Sequence, residues 1–323
     1  MKILVPIDYS KEACHAMKFA MEIAQREKAE IILFHAFSEP ISVDKADYIE
    51  EAIEALEKEK TKVLEEYVQE VKYDLGKDFV LTFTSSTEAG VTLENASNLT
   101  KSGFHVMGTN QWAEIANMKI NCMCKFGLPD ETILAVGEAY QVDIIIMGMR
   151  GAGTFCQAFL DSTVASVIQA GKLPVLALPL EAVPKENPVL VFAIDLSLKP
   201  KEFILKQLCS FVKILRANLK ILHIYQDSNP EQEEQQALAA LEILDKLLND
   251  ISYEVYFRQH DDVVAGIEEF LKAQKADFIA LVPKHHSFFE ILLQETITGF
   301  MTERAQIPLL TIPATLQEEP IEL

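Results

Sequence analysis

Cysteine is scarce in this chain and odd in number, five among 323 residues. Secreted disulfide scaffolds carry dense, even sets, so that class is excluded. No apolar run approaches the ~20 residues that a membrane-spanning helix needs. The opening Met1-Lys2-Ile3-Leu4-Val5-Pro6 holds one positive charge and a short apolar stretch stopped by Pro6 and Asp8. That stretch is too short for the core of a secretion signal. Without such a signal, the glycosylation triplets at Asn95 and Asn98 are read as coincidence. The expected location is the cytoplasm. Positive charge is also in short supply: 29 Lys and Arg stand against 49 Asp and Glu, a net charge of −20. Proteins that grip nucleic acid or anionic membranes concentrate positive charge, so neither partner is expected. A local basic pocket remains compatible with that total.

What is present is ordinary globular material. Apolar residues make up 49% and charged residues 24%, enough to bury two cores in a chain of this length. Short apolar runs alternate with helical patterns. Strands are expected at Lys2 to Ile7, Ile31 to Phe37, Lys119 to Lys125, Asp143 to Met147 and Pro174 to Leu178. Between them, helical spacing follows Ser10 (a candidate cap), runs from Ile53 to near Gly76, and recurs at Pro129 to Tyr140 and Ser162 to Ala170. Near-continuous apolar strands alternating with helices predict an α/β parallel open sheet covered on both faces.

The pattern then begins again. Pro184-Lys-Glu-Asn-Pro188 reads as a linker, and Val189 to Leu196 echoes Ile3 to Tyr9. Asp195 follows Asp8 at an offset of 187, and His223 follows His35 at 188. Later positions match at 134: Asp143 with Asp277, Pro174 with Pro308, Pro179 with Pro313. Two tandem Rossmann-like domains of about five strands each are expected, spanning 1–183 and 189–323. The change of offset, 188 − 134 = 54, puts extra chain in the first half. Its polar part, about 77–117, is read as an excursion with a short hairpin.

The candidate site follows the fourth apolar run. Met147-Gly148-Met149-Arg150-Gly151-Ala152-Gly153-Thr154 leads to Asp161-Ser162-Thr163 at the start of a helix. Glycines let backbone approach a ligand closely, and a helix N-terminus offers unpaired N–H groups suited to phosphate. Open α/β sheets bind ligands beyond the carboxyl ends of their strands. Asp8 lies past the end of the first strand and could accept hydrogen bonds from a base or ribose.

These residues resemble the universal stress protein family. Val5-Pro6-Ile7-Asp8-Tyr9-Ser10, His35, Gly127-Leu128-Pro129, the glycine segment and Leu173-Pro-Val-Leu-Ala-Leu-Pro179 carry the resemblance, which is strong in the first half and weaker but ordered in the second. It implies a five-stranded parallel sheet and frequent dimerisation through the last strand. It also implies a Gly-x-x-Gly, nine residues, Gly-Ser/Thr motif in the ATP-binding members. Here Gly148, Gly151 and Ser162 match and would face phosphates, with Gly153 and Thr163 beside them. Asp8 would sit near adenine or ribose, Ala36 would line the base pocket, and Met147 would lie at its edge. The bound cofactor would be ATP or another adenine nucleotide, with Mg²⁺. Asp161 replaces the motif glycine. A carboxylate about 4 Å from a phosphate costs about 4 kcal/mol at an effective dielectric near 20. A bridging metal would reverse that sign, and Asp161 could instead simply cap the helix.

The second half lacks the site. Gly148 becomes Val282, Gly151 becomes His285 and Asp161 becomes Glu295, while Ser162 becomes Thr296. The expectation is a degenerate domain serving as an intramolecular pseudo-dimer partner, in a chain that also forms homo-oligomers. Cys122 and Cys124 fall on one side of a strand and read as buried free thiols. His285-His286 reads as a surface or packed pair, and Cys156, within the glycine-rich loop region, as an exposed position. No Ser/His/Asp triad can be assembled from spacing. The Ser-Gly-Gly-x-Asp-Ser and His-Ile-Gly-His patterns of related α-hydrolase-like enzymes do not occur. The reading is a non-catalytic stress-response regulator with at most weak ATP hydrolysis; the alternative is an interaction protein of the same fold that binds no nucleotide.

Overall fold

The computed structural model describes residues 1–40, 49–75, 82–83, 119–149, 163–196, 200–226, 230–283 and 307–314. The chain divides into two compact units, Met1–Ile146 and Met147–Leu323.

In the first unit, β1 (Lys2–Pro6) leads to α1 (Lys11–Glu27), β2 (Glu30–Phe37) and α2 (Ile49–Leu75). Then come β3 (Thr82–Phe83), β4 (Lys119–Phe126), α3 (Pro129–Ala139) and β5 (Ile144–Met149), which crosses the unit boundary. β1 pairs in parallel with β2 on one side and with β5 on the other. β4 adds to β2, and β3 adds to β4, both in parallel. The strand order therefore reverses at β1. Ile3, Leu4 and Val5 are all fully buried. Successive strand residues point to opposite faces, so both faces of the sheet are covered.

Local chemistry sets the boundaries. Ser10 Oγ accepts the Ala13 N–H at 3.1 Å and caps α1, and Lys28 in a left-handed conformation ends it. Pro129 opens α3 without a side-chain cap. Gly127, at φ +147°, has no room for a side chain: an added Cβ would lie 2.6 Å from Thr132 Cγ2. The excursion contributes one described element, β3, which lies along the outer edge of β4; the rest of 77–117 lies outside the described residues.

The second unit contains α4 (Thr163–Ala170), β6 (Val175–Pro179), β7 (Val189–Ala193), α5 (Glu202–Leu215) and β8 (Asn218–Tyr225). It continues with α6 (Pro230–Leu247), β9 (Tyr253–Gln259), α7 (Val263–Gln274), β10 (Phe278–Leu281) and β11 (Leu309–Thr311). β7 lies between β8 and β10, β9 adds to β8 and β11 to β10, all in parallel. β6 joins β11 in antiparallel register, Leu310 opposite Leu176.

One device recurs. Asp143 Oδ2 accepts the Lys2 N–H at 2.6 Å, and Asp277 Oδ2 accepts the Val189 N–H at 2.8 Å. Each aspartate returns its own N–H to the carbonyl of the same residue. The first strand of each half is thus held at its amino end by matched carboxylates.

Candidate functional site

At the carboxyl end of β1 the chain leaves the sheet abruptly. Ile7 donates to Phe34 O at 2.7 Å, a last tie to β2. Asp8 is exposed, and its Oδ1 accepts the Ser10 N–H at 2.9 Å, which orients the carboxylate. Tyr9 between them takes φ +62°. A bulky residue in the left-handed region costs about 1 kcal/mol or more. Ring contacts hold it there, with the His35 ring at 4.9 Å and the Tyr67 ring at 5.0 Å. His35 Nδ1 lies 2.7 Å from the carbonyl of Ile7. A carbonyl only accepts, so Nδ1 carries the proton.

The α2 helix straps the neighbouring strand end. Cys124 N–H donates to Thr61 Oγ1 at 3.2 Å, and Phe126 N–H to Glu57 Oε1 at 3.1 Å. Lys125 Nζ pairs with Glu57 Oε2 at 2.6 Å. Burial, with the nearby Cys124 and Cys122 thiols, pushes the Tyr9 phenol up from 10.0 to about 12. Burial likewise raises the Tyr67 phenol, which hydrogen-bonds the Cys14 thiol and faces Asp8. The Cys124 thiol is pushed up by burial from 9.0 to about 11, and Cys122 is raised by the same cause. Neutral thiols and phenols therefore back this rim. Tyr67 lies within the helical run that starts at Ile53, and only its hydroxyl distinguishes it in the sequence from the apolar positions around it.

The expected site residues divide three ways. Asp8 stands exposed at the rim, and Ala36 is half-buried near the end of β2. Met147 and Gly148 lie inside β5, which runs two residues beyond the expected strand end; Met147 is buried and Gly148 half-buried. Thr163 is the first residue of α4. Gly151, Gly153 and Ser162 lie outside the described residues, as do Asp161, Cys156 and the His285-His286 loop. Among the described residues, no three His, Cys, Asp or Glu side chains gather as a metal site, and no helix is long and apolar enough to cross a membrane.

The corresponding corner of the second unit is built differently. Ile194 N–H donates to Leu222 O, repeating the tie of Ile7. His223 is buried, and its Nδ1 accepts the Leu196 N–H at 3.1 Å, with Asp195 Oδ1 3.9 Å away. Leu196 replaces Tyr9 and is buried. α5 starts only at Glu202, and Lys201 gives it no side-chain cap. Val282, at the place of Gly148, is buried directly after β10.

An open parallel sheet whose order reverses at β1 defines a Rossmann-like α/β fold. A sequence model of the Universal stress protein family matches residues 1–179. The chain belongs to that family. It is 28% identical over 175 residues to Universal stress protein MJ0577 of Methanocaldococcus jannaschii, an alignment covering 54% of this chain and 92% of the relative. In fold it is similar to a universal stress protein from Archaeoglobus fulgidus, with TM-score 0.58 and 16% identity over 97% of this chain and 98% of that one. A putative universal stress protein from Pseudomonas aeruginosa gives TM-score 0.55 and 13% identity over 96% and 92% of the two chains.

Proposed function

We propose that this chain is a non-catalytic stress-response regulator that binds an adenine nucleotide through its first repeat alone. The observation that carries the reading is the exposed, oriented carboxylate of Asp8 at the strand end where the sheet order reverses. The described residues fit such a ligand. Asp8 would accept from the base or ribose, Ala36 and Gly148 are small residues at strand ends, and Met147 adds an apolar wall. Gly151, Gly153, Ser162 and Thr163 would hold the phosphates, with Mg²⁺ offsetting Asp161. In the second repeat, buried Val282 and the inward-bonded His223 argue against an equivalent site.

The same reading takes 1–183 and 189–323 as tandem domains with 184–188 as linker. The matching winding of β1, β2, β4 and β5 with β7, β8, β9 and β10 supports it. Antiparallel pairing of β6 with β11, the last strands of the two repeats, supports an intramolecular pseudo-dimer. Free thiols at Cys14, Cys122, Cys124 and Cys209 accord with a reducing, cytoplasmic setting.

Calorimetry and thermal melts with ATP, ADP and AMP, with and without Mg²⁺, test the reading. A nucleotide at a hundred times its Kd stabilises by about 2.7 kcal/mol. Gly151→Trp removes binding and Asp161→Gly tightens it. Weaker binding in Asp161→Gly would assign that carboxylate to a bridging metal instead. No binding by any nucleotide would leave the interaction-protein reading standing.

A further inference from the structure

The outer edges of the two units are treated differently. In the first, β4 is covered by β3, with Thr82 opposite Lys119 and Phe83 opposite Ile120. In the second, β9 corresponds to β4 and, among the described residues, is paired on one side only. Its seven residues, Tyr253 to Gln259, run in unbroken register along β8, with no proline and no bulge. Natural edge strands usually carry such interruptions, because a straight open edge templates pairing with another strand.

The direction of the backbone groups follows from one bond. His260, directly after β9, donates to Tyr225 O of β8 at 3.0 Å. Groups alternate along a strand, so 254, 256 and 258 also address β8. Residues 253, 255, 257 and 259 then present their N–H and C=O groups outward. An antiparallel partner of the same sequence can satisfy them only in registers where odd residues oppose odd residues. With the two-fold axis at Tyr256, Val255 opposes Phe257 in hydrogen-bonded pairs. Glu254 then opposes Arg258 in the closer, non-hydrogen-bonded pairs, twice over. Shifting the axis to 255 or 257 sets Glu254 against Tyr256 or His260 and loses both ion pairs.

The side chains of this row are already placed. Lys220 Nζ pairs with Glu254 Oε1 at 3.2 Å, and the Tyr256 hydroxyl donates to Glu254 Oε2. Tyr256 packs on Phe270 at 4.8 Å, and the Arg258 guanidinium sits 5.3 Å over the same ring. Among the described residues Arg258 has no carboxylate partner. We propose that the β9 edge is an interface to a second copy of this chain, joined antiparallel about Tyr256 with Glu254 of each copy against Arg258 of the other. The surface is independent of the nucleotide reading and of the β6–β11 pairing. A single ladder is smaller than a standard interface, so the dimer is weak and depends on concentration.

Sedimentation of the full chain over a wide concentration range tests this, with circular dichroism confirming that each variant folds. The wild type shows a monomer–dimer equilibrium. Arg258→Glu and Glu254→Arg each weaken it about tenfold, because like charges then meet at both crossings. An equimolar mixture of the two variants recovers dimer, since opposite charges face each other again. Val255→Pro removes an outward N–H, spares the bonds to β8, and also weakens the dimer. A wild type that stays monomeric, single variants that dimerise as well as wild type, or a mixture no better than its components would each overturn the proposal.

Discussion

His35 and His223 end corresponding strands and hold their corners with opposite polarity. His35 Nδ1 gives its proton to the Ile7 carbonyl, whereas His223 Nδ1 receives one from the Leu196 amide. The bonds of Ile7 and Ile194 to their neighbouring strands are the same. The two corners thus share a backbone frame and part company one residue later. After Asp8, Tyr9 turns left-handed and α1 starts at once under its Ser10 cap, which leaves the carboxylate exposed. After Asp195, Leu196 goes into the core and α5 begins later. The two corners therefore share a backbone frame and differ in the residue that follows the aspartate, left-handed Tyr9 in one and buried Leu196 in the other. Proton-resolved NMR of the ring nitrogens checks the contrast directly: His35 is expected as the Nδ1–H tautomer and His223 as Nε2–H.

The largest expected effect comes from matched cavities. Phe34 and Phe192 are both fully buried. Phe34→Ala and Phe192→Ala each cost about 3–5 kcal/mol. Calorimetric scans then show whether each lowers only the transition of its own unit; a common shift would mean that the two halves unfold together. Next come the corners. His35→Phe leaves the Ile7 carbonyl unpaired and His223→Phe the Leu196 amide, about 1–3 kcal/mol each by denaturant titration. Equal costs with opposite orphans would sharpen the contrast, and no cost at either would break it. Smaller again are the caps. Ser10→Ala and Asp262→Ala remove side chains that accept the Ala13 and Ala265 amides, at about 1 kcal/mol apiece.

The smallest effect is confined to alkaline solution. A phenol raised from 10.0 to about 12 holds its proton more tightly when folded. Its contribution is full below pH 10 and is lost as pH rises through about 12. Tyr9→Phe should flatten the fall of stability across that window, while Leu196 gives the second corner no such titration. An unchanged alkaline profile would mean that the partly exposed Tyr9 phenol holds its proton no more tightly than in the unfolded chain.

Much of this architecture is legible in the residues. Apolar runs mark the strands to within a residue or two, Ser10 announces its helix, and the matched aspartates at 143 and 277 do repeat one bond. The extension of β5 through Gly148 is not legible, because glycine followed by more glycine reads as loop. Nor is the polarity of the two histidines, since it depends on whether a carbonyl or an amide turns toward the ring. Residue types also do not reveal that β6 and β11 pair antiparallel, because both are plain apolar runs. Cys122 and Cys124 are buried free thiols as their strand spacing implies, but the Tyr9–Tyr67–Cys14 cluster behind Asp8 requires the path of α2.

Titration of the full chain with ATP and Mg²⁺, read for stoichiometry, tests the asymmetry most directly. A single site per chain that vanishes in Gly151→Trp and persists when His285 and His286 are replaced is the predicted result. Two equivalent sites, or a single site lost only with the histidine loop, would contradict it.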